Sequence, residues 1–250
     1  MNNIHFKIIV PFYNVEKWIK FCIRSIRIQN HKNFQCILVN DKSTDNTVDI
    51  VQKEIEKDER FKLYNKEENT GALGSIYHGI EESAASDEDI IVILDGDDWF
   101  FSKRSLSILA ERYEKSKCWM TYGSYIEYPY GNPGKFSQQI PREIIEKQLF
   151  RESQWMSSHL RTYKYKLWRR IKKEDLFNSE GKFYPMAADL PTMFPMLEMS
   201  GERSQYIEDV LMVYNRTNPN NEDKVNHHLQ LSIENEVRHK PKYKRIEGEI

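Results

Sequence analysis

The chain has 250 residues, 39% of them hydrophobic and 12% aromatic, enough for one large domain or two small ones with a sizeable core. Its 37 Lys and Arg against 38 Asp and Glu leave a net charge of −1, which excludes bulk attraction to nucleic acid or an acidic membrane, so a basic partner site must be local. No stretch approaches the roughly 20 apolar residues of a membrane span, and the opening MNNIHFKIIVPF lacks the basic start and long apolar run of a signal peptide. A soluble, cytoplasmic protein is expected, with peripheral membrane contact left open. Cys22, Cys36 and Cys118 sit in apolar stretches without paired spacing and read as buried reduced thiols.

Residues 6–11 (FKIIVP) read as a first strand. Residues 15–29 read as a helix, with Ile19, Cys22, Ile23 and Ile26 on one face. Residues 34–40 (FQCILVN) read as a second strand, and Asp45 can cap a helix carrying Val48, Val51 and Ile55. Residues 60–64 make a third strand and 71–85 a helix despite Gly74 and Gly79; 89–94 is the fourth strand. Ser102 caps a helix with Leu106, Leu109, Ala110 and Tyr113 on one face, and 118–122 is a fifth strand. Such alternation predicts an α/β fold, a mainly parallel sheet with helices on both faces. Ligands bind such sheets beyond the carboxyl ends of the strands. Residues 11–14, 40–44 and 95–98 therefore share one rim.

The second half is less regular. Residues 128–141, with three prolines and two glycines, read as a loop. Helices are expected at 142–150 and 163–173, and at 189–199 with interruptions at Pro191 and Pro195. Residues 203–214 read as one or two strands, 215–223 as a polar loop, and the last dozen as a solvated tail.

The rim carries the chemistry. DIIVILDGDDWF, residues 89–100, runs an apolar strand into Asp95, Asp97 and Asp98. Carboxylates crowded at a strand end repel one another unless a cation neutralises them. Hard oxygen ligands suit Mg²⁺ or Mn²⁺, which share a substrate's phosphates. Gly96 between Asp95 and Asp97 lets the backbone turn and a ligand approach.

With IIVPFYN closing the first strand and ILVNDKSTDNT the second, this D-x-D resembles the family-2 glycosyltransferases of the GT-A fold. The likeness covers residues 1–125 well and the remainder loosely. It implies a nucleotide-sugar donor, with a UDP-sugar the expected one, a divalent metal, and direct displacement with inversion. It places Pro11 and Tyr13 at the base pocket and Asp41 at the nucleobase edge. Asn69 and Gly71 match the segment before the third helix, although the basic residue many members carry there is missing: Leu73, Gly74, Ser75 and Ile76 follow. The resemblance makes Asp97 the main metal ligand and gives Asp95 to the donor's ribose or sugar, or to a metal-bound water. Asp98 is read as capping the next turn or orienting the loop.

Inversion needs a general base, and the resemblance puts a carboxylate at the start of a late helix. Asp189, preceded by Ala188, is the candidate. His159 and Arg161, just before the expected basic helix, are candidates for acceptor or phosphate contacts. Arg216 could close over the diphosphate, and His227 or His228 could add a metal ligand. Residues 1–125 would then be a donor half, 126–237 an acceptor half with the base, and 238–250 a flexible tail. The acceptor, whether glycan, lipid or protein, is not readable. A sugar nucleotidyltransferase would want a glycine-rich basic loop after the first strand, where VPFYNVEKW stands. A dehydrogenase would want G-x-G-x-x-G there. A non-catalytic nucleotide-sugar-binding scaffold is the remaining alternative.

Overall fold

The computed structural model describes residues 4–221, 224 and 226–248. Parallel strands covered on both faces need apolar residues at successive positions. β1 (Phe6–Phe12), β2 (Phe34–Asn40), β3 (Phe61–Asn65) and β4 (Ile90–Ile93) form such a parallel set. Successive side chains enter two separate cores. Ile9, Ile91 and Ile93 join one; Ile8, Val10, Ile90 and Val92 join the other.

Helix α1 (Ile19–Arg27) closes one core with Ile19, Cys22, Ile23 and Ile26. After α2 (Thr47–Ile55), helix α3 (Gly71–Glu82) closes the other with Leu73, Ile76 and Ile80. Helices therefore cover both faces, as the alternating pattern predicts. α3 lies very close to the sheet: a Cβ on Gly79 would stand 2.6 Å from Ile9 Cγ2 and 2.7 Å from Val39 Cγ2. The helix tolerates this glycine because the approach requires it.

β5 (Trp99–Phe100) follows, then α4 (Ser105–Ser116), β6 (Met120–Tyr122), β7 (Tyr125–Tyr128), β8 (Asn132–Pro133) and α5 (Arg142–Lys147). β9 (Arg161–Lys164), α6 (Tyr165–Trp168), α7 (Asp189–Ser200), β10 (Ser204–Tyr206), β11 (Met212–Asn215) and α8 (His227–His239) follow, with 3-10 turns at Lys173–Leu176 and Gly201–Arg203. The main sheet has the order β10-β6-β9-β4-β1-β2-β3, and a small sheet the order β5-β11-β7-β8. β9 runs antiparallel to both β4 and β6. It carries second-half residues into the middle of the main sheet.

Several expectations change. The helix expected at 163–173 starts two residues later and ends at Trp168, because Tyr163 and Lys164 complete β9. Tyr163 pairs with Ile91 and stacks on Trp168 at 5.8 Å, so strand pairing overrides local helix preference. His159 and Arg161 accordingly lie at a sheet strand, not ahead of a basic helix. The 128–141 stretch is only partly a loop, since it contributes β8. α7 is continuous through both prolines. Pro191 falls in its first turn, where the missing N–H costs nothing. Residues 203–214 divide into β10 and β11, in different sheets.

The C-terminal segment, expected as a solvated tail, is docked as far as Ile246. The Tyr243 amide donates to Glu198 Oε2 at 2.9 Å, its hydroxyl to Asp175 Oδ2 at 2.5 Å, and the Ile246 amide to Met199 O at 3.0 Å. Glu198 is fully buried, and Arg151 donates to its two oxygens at 2.5 and 3.0 Å. A buried carboxylate needs that many donors, and the C-terminal segment supplies one. Cys22, Cys36 and Cys118 are free and buried. Among the described residues no helix is long and apolar enough to cross a membrane.

Candidate active site

The ends of β1, β2 and β4 open onto one cavity of about 540 Å³. The loop after β4 is tied to β1 beyond the regular ladder: Leu94 N–H donates to Ile9 O at 3.1 Å and Gly96 N–H to Pro11 O at 3.0 Å. A Cβ on Gly96 would lie 2.5 Å from Phe12 Cβ. Gly96 is thus needed to lay the loop against β1, while Asp95 and Asp97 on either side line the cavity. Asp98 is buried and orients the loop, accepting the Asn215 amide of β11 at 2.8 Å through Oδ1.

Electrostatically the rim is overloaded with acid. Burial, then the Arg161 and Asp189 charges pulling in opposite senses, leaves Asp95 above the ordinary aspartate range. Burial pushes Asp97 up to about 6, with Asp95 adding to the rise and the Asn218 hydrogen bond opposing it. Asp97 Oδ2 accepts from Asn218 Nδ2 at 2.7 Å. Asp98 is raised well above the usual range by burial and by its two acidic neighbours. Asp189 opens onto the same cavity from the first turn of α7. Its burial raises the carboxyl, outweighing Arg161 and the Asp189 and Leu190 amides of the helix start. Arg161 is the cation on β9 that meets this cluster. It is 7% exposed, and its Nη2 lies 3.6 Å from Asp95 Oδ2. Its Nε is buried with no hydrogen-bond partner.

Asp41 is held from three sides. Lys66 Nζ donates to its Oδ1 at 2.6 Å, the Thr70 amide to Oδ1 at 3.0 Å, and the Gly71 amide to Oδ2 at 2.9 Å. The carboxylate ties the start of α3 to the end of β2 and still lines the cavity. Asn69 Nδ2 donates to Asp41 O at 2.9 Å, so it braces Asp41. Gly71 has φ +77°, and a Cβ there would stand 3.3 Å from Pro185 O. Pro11 and Tyr13 line the cavity, with Tyr13 43% exposed.

His159 lies against the acidic loop. One ligand atom each from Asp95, Asp98 and His159 fall within 4.8 Å of one another. Asp98 Oδ2 is buried without a hydrogen-bond partner. Two carboxylates and an imidazole, one oxygen orphaned, fit a divalent ion. The sequence reading pairs Asp95 with Asp97 instead; Asp97 lines the same cavity but stands outside this triad. The imidazole stacks on Tyr214 at 5.3 Å, and burial holds its pKa well below the ordinary value. Arg216 lines the cavity beside Tyr214. His227 and His228 are exposed at the start of α8 and do not line it.

The sequence matches the family described as Glycosyl transferase family 2 over residues 7–180, more than half of the chain. The chain belongs to this family. GlyA, a glycosyltransferase of Streptococcus pneumoniae, is 36% identical over 92 residues, 37% of this chain and 13% of GlyA. An uncharacterized glycosyltransferase of Haemophilus influenzae is 33% identical over 125 residues, 50% of this chain and 48% of that one. The chain thus spans less than half the length of these relatives. S. aureus TarS 1–349, solved with UDP-GlcNAc, superposes with TM-score 0.62 at 18% identity, over 86% of this chain and 59% of that chain. The Pyrobaculum calidifontis mannosyltransferase PcManGT, solved with GDP-Man and Mn²⁺, superposes with TM-score 0.59 at 18% identity, over 85% and 58%. These two likenesses show the fold.

Several residues that line the cavity of this family-2 glycosyltransferase domain, and Lys66 behind Asp41, were not singled out from the sequence. Lys66 lies in the polar NKEENT stretch, where nothing distinguishes it from a solvated lysine. Asn218, Trp155, Gln154, Glu234 and Arg238 reach the cavity from irregular segments and α8. A lone Trp or a Glu four residues before an Arg has no periodicity pointing inward, so no sequence signal marks them.

Proposed function

We propose that the domain is a metal-dependent, inverting glycosyltransferase that moves a sugar from a nucleotide-sugar donor, a UDP-sugar, to an acceptor hydroxyl. One observation carries this reading. Asp189, from the second half, opens onto the same cavity as Asp95 and Asp97 at the end of β4. Tyr13 and Pro11 would bound the base, and Asp41 would accept from a ring N–H while it stays tied to α3. Asn69 and Gly71 would hold that side of the donor site. Asp95 and Asp97 would hold Mn²⁺ or Mg²⁺, with Asp98 and His159 adjoining; when bound, the ion neutralises charge on the diphosphate.

Asp189 would take the proton from the acceptor hydroxyl. Burial raises its pKa, which makes it a stronger base than an ordinary aspartate. Arg161 and Arg216 are the cavity's cations on the donor side and would stand in for the basic residue missing from α3. UDP-GlcNAc on TarS and GDP-Man with Mn²⁺ on PcManGT support testing both nucleotide classes.

The experiment is a panel of UDP-, GDP- and dTDP-sugars, each with and without Mn²⁺, read as nucleotide release. Slow, Mn²⁺-dependent release from one UDP-sugar is expected. Silence across the panel, with no nucleotide raising the unfolding temperature, would favour a non-catalytic scaffold.

A further inference from the structure

We propose that the wall of the cavity around Trp155 is an acceptor subsite for a sugar ring, an assignment that rests on the transfer reading above. Trp155 is half-buried and lines the cavity. Its ring meets Phe194 edge-on at 5.3 Å and 76°. Phe194 is itself buried in α7, with the guanidinium groups of Arg151 and Arg238 at 5.4 and 5.2 Å from its ring. The indole is therefore fixed in place.

Polar groups surround it. Arg238 Nη1 donates to Arg151 O at 2.6 Å and Ser153 O at 2.9 Å, clamping the Trp155 segment to α8. Arg238 Nε donates to Glu234 Oε1 at 2.8 Å, so the arginine fixes this carboxylate as well. Gln154, Gln230 and Glu234 line the same cavity. A sugar ring presents a C–H face suited to an aromatic ring and a rim of hydroxyls suited to amides and a carboxylate. Glu234 is also close enough to act on the charge of Asp189. The subsite thus adjoins the proposed base.

The same wall disfavours other acceptors. The apolar crevice behind Trp155, lined by Ile140, Ile144, Phe150 and Phe194, holds only about 10 Å³, so an alkyl chain has no groove there.

Saturation-transfer NMR on the whole chain tests this, with methyl glycosides of glucose, galactose and N-acetylglucosamine as probes and octanol as the apolar comparison. Transfer to the ring protons of at least one glycoside is expected. Trp155→Ala should weaken it by about 2- to 10-fold, with Trp155→Phe retaining most of it. Should Trp155→Ala not fold, the pair Gln154→Ala/Gln230→Ala carries the test. No transfer to any glycoside, transfer unchanged in folded variants, or transfer to octanol alone overturns the subsite. UDP-induced thermal stabilisation is measured in parallel. Stabilisation without glycoside contact sinks the subsite and leaves the donor reading standing. Glycoside contact without any nucleotide effect overturns the acceptor assignment together with transfer.

Discussion

Replacing Lys66 by methionine isolates the buried pair beneath the donor rim. Lys66 and Asp41 are 5% and 4% exposed and 2.6 Å apart. Lys66 also donates to the hydroxyls of Thr70 and, at 3.2 Å, Ser75. Removing one partner of a buried pair costs about 3–5 kcal/mol, because the other charge is left uncompensated. The Thr70 and Gly71 amides still bond Asp41. They offset part of the loss and place Lys66→Met at the low end, about 3 kcal/mol, or a fall in unfolding temperature of about 6–12 °C for a chain of this size. Asp41→Asn strips Lys66 of its counter-charge and should cost a similar amount. The double variant buries no charge, so it should be more stable than the sum of the singles predicts by about 2 kcal/mol. Thermal and urea unfolding of the four proteins measure this cycle. Single variants within about 0.5 kcal/mol of the parent, and additive, would refute the reasoning.

Asp189→Asn should lower transfer by about 10²–10⁴-fold while nucleotide-induced stabilisation persists, and loss of both together would mean a structural role. Because burial raises the Asp189 carboxyl, the acid limb of the rate–pH profile should fall above 3.8, the ordinary aspartate value; a limb at or below it contradicts the assignment. Asp97, raised from 3.8 to about 6, contributes stability below 3.8 that is lost as pH rises through 6. Mn²⁺ should therefore raise the unfolding temperature at about pH 7.5 and do little at about pH 5, where protons occupy the carboxylates, and equal effects at both would count against a carboxylate site. Gly96→Ala places a methyl 2.5 Å from Phe12 Cβ and should destabilise by about 1–3 kcal/mol, with weaker nucleotide binding; a neutral result in urea unfolding would show that the loop can lift away from β1.

The first 125 residues were legible because their signals are local. Five apolar residues before Asp95, and the i, i+3, i+4 face of α1, each report burial within a few positions. The two cores divide β1 and β4 by alternate residues, and a both-faces-buried strand announces that by lacking polar alternation. The second half depends on long-range pairing. β9 enters the main sheet between β4 and β6, and RTYK carries no marker of that neighbourhood. Its neighbour KYKLWRRIKK looks like a basic helix on propensity, yet Tyr163 and Lys164 are taken by the sheet. The segment 238–250 reads as a tail because it is charged and short of apolar residues. It docks because Glu198 is buried and needs donors, and nothing near Glu198 in the sequence says so.

The antiparallel insertion of β9 has a consequence for charge. Within the cavity Asp41 is matched by Lys66, and Glu234 by Arg238. Arg161 acts on Asp95, Asp98 and Asp189 and touches Asp95 only loosely at 3.6 Å, with Arg216 elsewhere on the cavity wall. Two guanidinium groups leave this rim short of positive charge, with Asp98 buried and the other three carboxyls partly buried. Burial and mutual repulsion raise their pKa values instead. A diphosphate alone would deepen the imbalance, and a divalent ion alone would leave Arg161 half-used. Were both to bind as proposed, Asp95 and Asp97 would hold the ion, and Arg161, now 3.6 Å from Asp95, would be free to meet the remaining negative charge. Delivering Arg161 on a sheet strand, rather than on the first turn of α3, fixes it where it acts on both Asp95 and Asp189. Leu73, Gly74, Ser75 and Ile76 are buried in the first turns of α3, and Gly79 further along lets the helix lie close to the sheet.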